Sequence, residues 1–200
     1  MKYALLVGAL ALGFTIVTVS ALTRTAATRP TPTYPAGART GVARVDRYLA
    51  ALQAKDVAGL VALVQYTKLP CVRKKEPGYT FIKCKPGEPT GTLVDTFWLG
   101  TCDAGSTRAD DVAMMEIVGR FIDGGRKLYA VYRSNGRSIT PRGGYGIIFA
   151  HPADGEAYAS TLVLSKRGGL IGIAFAHCAD SPAEVWAYSK GAVVLAPRRR

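Results

Sequence analysis

An α+β fold, with helices packed on a curved, mostly antiparallel β-sheet, follows from three features of this chain. Its first half carries apolar residues at helical spacing, at Val42, Val45, Leu49 and Leu52 and again at Val57, Leu60, Val61 and Val64. Its second half carries apolar runs of strand length separated by turn residues. Two of those runs meet at Gly168-Gly169, and such a pair supplies the φ > 0 positions of a tight hairpin turn. Helices followed by a run of antiparallel strands make an α+β domain.

The N-terminus reads as a targeting element. Lys2 precedes an apolar run over residues 4–22, and Val19 and Ala21 flank Ser20. A charged start, an apolar middle and small residues at the end describe a signal peptide over residues 1–21, cut after Ala21. A run of this length also spans a bilayer as an uncleaved signal anchor helix, a membrane tether through residues 4–22. Either way the folded part is extracytoplasmic, secreted or anchored facing outside. Residues 22–40 are rich in Thr and Pro with little to bury, the composition of a solvated linker. A single domain is expected over 41–197, and the arginines at 198–200 form a basic tail.

Within the domain, the stripe over 42–52 is one helix, and Asp56 caps a second. Leu69-Pro70 ends that second helix. Residues 71–89 form a basic, Pro/Gly-punctuated loop around a short strand at 79–83, and 92–99 is a better strand. Residues 103–106 make a turn, after which Thr107 and Asp110 resemble a capping box. The helix that follows presents Val112, Met115, Val118 and Ile122, and Asp123-Gly124-Gly125 closes it. Strands are then expected at 127–133, 144–151, 158–166, 170–178 and 184–196, the last broken at Lys190-Gly191. With Gly168-Gly169 as a two-residue loop, Leu164 lies opposite Ile173 and Ser160 opposite His177. Alternation then gives Leu162, Leu164, Ile171, Ile173 and Phe175 one apolar face, directed at the 112–122 helix.

The formal net charge is +12. Its densest part runs from Lys68 to Lys85, which suits an anionic envelope surface such as phospholipid headgroups, or simply keeps the chain soluble. Tyr79 and Phe81 among lysines have the makings of nucleic-acid stacking, but an exported location excludes nucleic acid. Residues 133–143, with Arg133, Arg137 and Arg142, read as a solvated loop that could also hold an anion. Cys71, Cys84, Cys102 and Cys178 in an exported chain are most simply disulfides. Three connectivities are open, and Cys71–Cys84 with Cys102–Cys178 is the preferred one. A metal site is not expected, because no Cys-x-x-Cys pair exists and neither His lies at a ligand interval. No cofactor motif is present.

Candidate acid–base groups are few. Phe149-Ala150-His151 and Phe175-Ala176-His177 repeat a triplet at two strand ends, and the two imidazoles could share a rim. Asp95 and Tyr145 are further candidates by residue type, with Tyr129 and Tyr132 more suited to the core.

The element order, with Val45-Asp46-Arg47-Tyr48-Leu49-Ala50-Ala51-Leu52 followed by Asp56-Val57-Ala58-Gly59-Leu60, resembles the NTF2-like (cystatin-like, SnoaL-like) superfamily over residues 41–196. The resemblance implies a cone in which a bent sheet wraps a long helix around a pocket. It implies either a non-catalytic binding or accessory module of the envelope, for an anionic surface or a small apolar ligand, or an isomerase, dehydratase or hydrolase using that pocket. No catalytic motif of the family carries over to a position of this sequence.

Overall fold

The computed structural model describes residues 32–35, 37–73, 82–100, 105–137, 140–151, 158–175, 181–189 and 191–198. The expected signal or anchor segment, Tyr79, Phe81, Cys102, His177 and Cys178 lie outside the described residues, and so does the expected Cys102–Cys178 crosslink.

Helices α1 (Ala43–Gln53) and α2 (Val57–Val61) come first, then strands β1 (Thr67–Pro70), β2 (Leu93–Gly100) and β3 (Gly105–Arg108). Helix α3 (Asp111–Asp123) leads into β4 (Lys127–Arg133), β5 (Tyr145–His151), β6 (Tyr158–Leu164) and β7 (Leu170–Phe175). Helix α4 (Pro182–Ser189) and strand β8 (Ala192–Leu195) complete the order. The strands form one open, 8-stranded sheet in the order β1-β2-β7-β6-β5-β4-β8, with β3 paired to β2. Pairing is antiparallel except between β2 and β7, which run parallel. The α+β class is therefore observed, as a mixed sheet.

The main core lies on one face of this sheet. Val45, Tyr48 and Leu49 of α1, Leu60 and Val61 of α2, and Met114, Ile117, Val118 and Phe121 of α3 meet strand residues that include Phe97, Leu128, Ile147, Phe149, Leu162 and Ile173. The smaller opposite layer is α4, whose Val185 and Trp186 cover Tyr129, Ala130, Tyr132, Ile148, Ala150 and Ala159. Gly146 on β5 has no room for a side chain, because the Tyr132 ring lies where a Cβ would project.

Several expectations need correction. Residues 184–189 belong to a helix, because Ser181 and Glu184 form a reciprocal cap. Glu184 accepts from the Ser181 N–H at 2.7 Å, and the Ser181 hydroxyl faces the Glu184 N–H at 3.4 Å. Pro182 at the first helical position strengthens that start. The cap of α3 is Asp110, which accepts from the Ala113 N–H at 2.9 Å, while Thr107 sits in β3. Apolar residues crowd α3 in two adjoining stripes, and the stripe holding the larger Phe121 is the buried one. Val112 is left 81% exposed and Met115 43% exposed.

The β6–β7 register also differs. Leu162 pairs with Ile173 and Ser160 with Phe175, with a bulge after Val163, so Leu170 joins the core in place of Ile171. Of the two glycines, Gly168 alone has a positive φ (87°), and the loop over 165–169 closes through Ser165, whose N–H donates to the Gly169 carbonyl at 2.8 Å. One left-handed glycine with a bulge is the longer hairpin solution. Leu162, Leu164, Ile173 and Phe175 keep their expected face, and Phe175 meets Phe121 of α3 edge-on at 6.1 Å.

Candidate functional site

A cleft of about 670 Å³ opens at one end of the main core. Leu49 and Leu52 of α1, Ile122 of α3, Leu128 of β4 and Phe149 of β5 line it with apolar surface. Thr33, Tyr34, Pro35, Gly37 and Ala38 supply one wall, so that part of the Thr/Pro-rich segment lies against the domain. The Tyr34 N–H donates to the Leu128 carbonyl at 2.7 Å, and its hydroxyl donates to the Ala196 carbonyl at 2.5 Å. Asp46 secures the turn into α1 by accepting from the Thr40 N–H (2.7 Å), the Thr40 hydroxyl (2.8 Å) and the Gly41 N–H (3.0 Å). Burial pushes the Asp46 carboxyl up, but these donors outweigh it and hold the group below the ordinary carboxylate range.

Four cations complete the lining: Lys55, Arg126, Lys127 and Arg198. Each is fixed by its place in the chain. Lys55 follows Ala54, the C-cap of α1, and takes a left-handed backbone, φ 53°, the only positive φ of a non-glycine among the described residues. This is the helix-ending position that normally goes to Gly or Asn. Arg126 lies just past the end of α3. Its guanidinium stands 4.4 Å over the Phe121 ring and 5.6 Å over that of Phe175. Its Nε donates to the Ser160 hydroxyl at 3.2 Å, and a terminal nitrogen donates to the Phe121 and Arg120 carbonyls at the open end of α3. Burial lowers its pKa. Lys127 opens β4. Arg198 stands 5.8 Å over the Tyr34 ring.

The lining contains no carboxylate and no imidazole among the described residues. None of the four cations belongs to an ion pair among the described residues. Among the described residues, the cleft therefore offers apolar surface and positive charge without an acid–base pair.

Of the residues singled out from sequence, Asp95, Tyr145 and His151 do not line the cleft, and His177 lies outside the described residues. Asp95 is exposed on β2, where Lys68 Nζ lies 3.1 Å from its carboxylate. Tyr145 is buried in the main core, with the Arg44 guanidinium 5.7 Å from its ring. His151 ends the same strand and stands 5.7 Å from the Tyr158 ring. At about 3.3 Å per residue, Tyr145 and His151 are some ~20 Å apart along β5. Tyr129 and Tyr132 are buried on the α4 side of the sheet.

Cys71 and Cys84 form the expected disulfide, at the other end of the sheet. Their sulfurs and the Glu88 carboxylate lie within 4.8 Å of one another. That cluster is not a free ligand set, since both sulfurs are bonded to each other and Glu88 accepts from Arg108 at 2.7 and 2.9 Å.

Sequence reasoning overlooked Lys55, Arg126 and Lys127. Arg126 and Lys127 follow Asp123-Gly124-Gly125, where cations suit a helix C-terminus, so that pair had a signal. Lys55 had none, because nothing in its neighbours marks a lysine for a glycine-like conformation. The sequence matches no protein-family model and no curated protein.

Proposed function

We propose that this chain is an exported, disulfide-stabilised, non-catalytic binding module of the cell envelope, and that it binds its ligand in the cleft. The observation that carries this reading is the composition of the lining, apolar surface edged by Lys55, Arg126, Lys127 and Arg198 without a described acid or imidazole. Proton-transfer catalysis needs a titratable group within hydrogen-bond reach of the reacting atom. A cleft of about 670 Å³ is of the size that encloses small molecules, on the order of 300–1,000 Å³. An NTF2-like cone is the architecture proposed for it, supported by the helix-helix-strands-helix-strands order and by a cleft at the helix–sheet junction. Export is supported by the Lys2-led apolar run over 4–22 and by the Cys71–Cys84 bond. No helix among the described residues is long and apolar enough to cross a membrane, so a tether would fall to residues 4–22.

Native mass spectrometry of the full chain recovered from the envelope fraction tests the reading. A bound small molecule is expected, and Leu52→Trp, which fills the cleft, should abolish it. Recovery without any small molecule, or turnover of a small molecule that depends on His151, would replace the module by another function.

A further inference from the structure

Given that binding reading, the cleft's charge pattern identifies the chemical class of its ligand. We propose that the cleft takes a single-chain amphiphile with an anionic head, its tail on Leu52, Ile122 and Phe149 and its head held by Lys55 and Lys127 beside Arg126. Three observations lead there. The first is the pairing of an apolar floor with a cationic edge in one cleft. The second is that no carboxylate partners the four cations of the cleft among the described residues, whereas Lys68, Arg108 and Arg120 each have one. Cations gathered around one cavity without counter-charge raise the local concentration of anions.

The third observation is Lys55 itself. A left-handed backbone at φ 53° is unfavourable for lysine and free for glycine. Residues held in such conformations cluster where a site needs them. Here the strained residue is a lysine that lines the cleft. A tail without a head would leave the cations unused, and a head without a tail would leave the floor of Leu52, Ile122 and Phe149 open to water. One molecule carrying both satisfies both.

Carboxylate and phosphate heads share this chemistry, and the test separates them. Displacement of a fluorescent long-chain carboxylate from the full chain is measured with octanoate, dodecanoate, hexadecanoate, hexadecyl phosphate, uncharged hexadecanol and inorganic phosphate. Each methylene added between octanoate and dodecanoate should tighten binding by about fourfold. Hexadecanol should bind at least about tenfold more weakly than hexadecanoate, and inorganic phosphate should not compete. The ratio of hexadecanoate to hexadecyl phosphate tells which head is preferred. Lys55→Gly and Lys127→Gln should each weaken hexadecanoate by about fivefold and leave hexadecanol unchanged. Arg137→Gln, on the 133–143 loop away from the cleft, should change neither.

Equal binding of hexadecanol and hexadecanoate would overturn the anionic head while leaving the binding module intact. Absence of any dependence on tail length would overturn the tail. Binding seen only with phosphatidylglycerol vesicles, and not with single-chain probes, would replace the cleft by a membrane surface and overturn the proposal. Failure of every probe, together with turnover of some small molecule, would instead remove the binding-module reading on which it rests.

Discussion

The two ends of the sheet are both rich in cations, and they treat them differently. Around β1 and β2, Lys68 lies 3.1 Å from Asp95, Arg108 grips Glu88 through two hydrogen bonds, and the Cys71–Cys84 bond closes the loop. Around the ends of α1 and α3, Lys55, Arg126, Lys127 and Arg198 edge a cleft with no described carboxylate among them. Charge met by counter-charge fixes a loop in place, and charge left unmet keeps a surface open to an anion from outside. On the proposed reading, structure lies at one end and binding at the other.

The comparison breaks most decisively at Phe121. This side chain is 2% exposed, meets the Phe149 and Phe175 rings edge-on at 5.5 and 6.1 Å, and carries the Arg126 guanidinium on its face. Phe121→Ala should cost about 3–5 kcal/mol in urea unfolding, and ligand binding should fall with it because Arg126 loses its platform. A cost below about 1 kcal/mol would mean that the cleft end is not built on this aromatic cluster.

At the opposite end, the disulfide closes a loop of 13 residues in sequence separation. Replacing Cys71 and Cys84 together by Ser should lower stability by about 3 kcal/mol on the chain-entropy estimate. Affinity of the cleft for its ligand should stay within twofold of the parent in a titration below the melting range. Loss of binding in that variant would join the two ends and abolish the distinction.

A smaller effect separates them by pH. Arg108 donates to Glu88, the Lys85 N–H does so too, and together they hold the Glu88 carboxyl below its ordinary value. A depressed folded pKa gives stability that is present above the unfolded value of about 4.3 and is lost as pH falls through the folded one. Glu88→Gln should therefore flatten the acid limb of the stability curve below about pH 4.5. An acid limb identical to the parent's would show that the Glu88–Arg108 pair adds nothing in solution.

Much of this organisation was legible in the residues, and the exceptions have physical causes. The α+β class, the Asp56 cap and the Cys71–Cys84 pairing depend on local signals, and each is present in the structure. Helix α4 was hidden because Val185, Trp186 and Tyr188 favour strands, although Ser181-Pro182-Ala183-Glu184 spells out a helix start. The β6–β7 register slipped because two adjacent glycines do not say which one takes the left-handed conformation. The cleft was the least legible feature. Its lining comes from residues 33–35, 37 and 38, two helix ends, two strands and the C-terminal segment, which meet only through tertiary packing. Composition assigned the first of these to a solvated spacer, and no local pattern could report that Tyr34 reaches Leu128 and Ala196.

The finest test of the contrast is at Lys55, where stability and binding should move in opposite directions. A non-glycine residue in the left-handed region costs about 1–2 kcal/mol. Glycine removes that cost but gives back about 0.5–1 kcal/mol through the greater freedom of the unfolded chain. Lys55→Gly should thus gain a net of about 0.5 kcal/mol in denaturant unfolding without ligand. Lys55→Ala removes the ammonium but retains the left-handed backbone, so its stability should stay close to that of the parent. Both variants should bind an anionic amphiphile more weakly and to the same extent, since both lose the charge. A glycine variant less stable than the alanine variant would show that the backbone at Lys55 carries no strain. An alanine variant that binds as well as the parent would show that the ammonium is not used, and the cations at this end would then be as structural as those at the other.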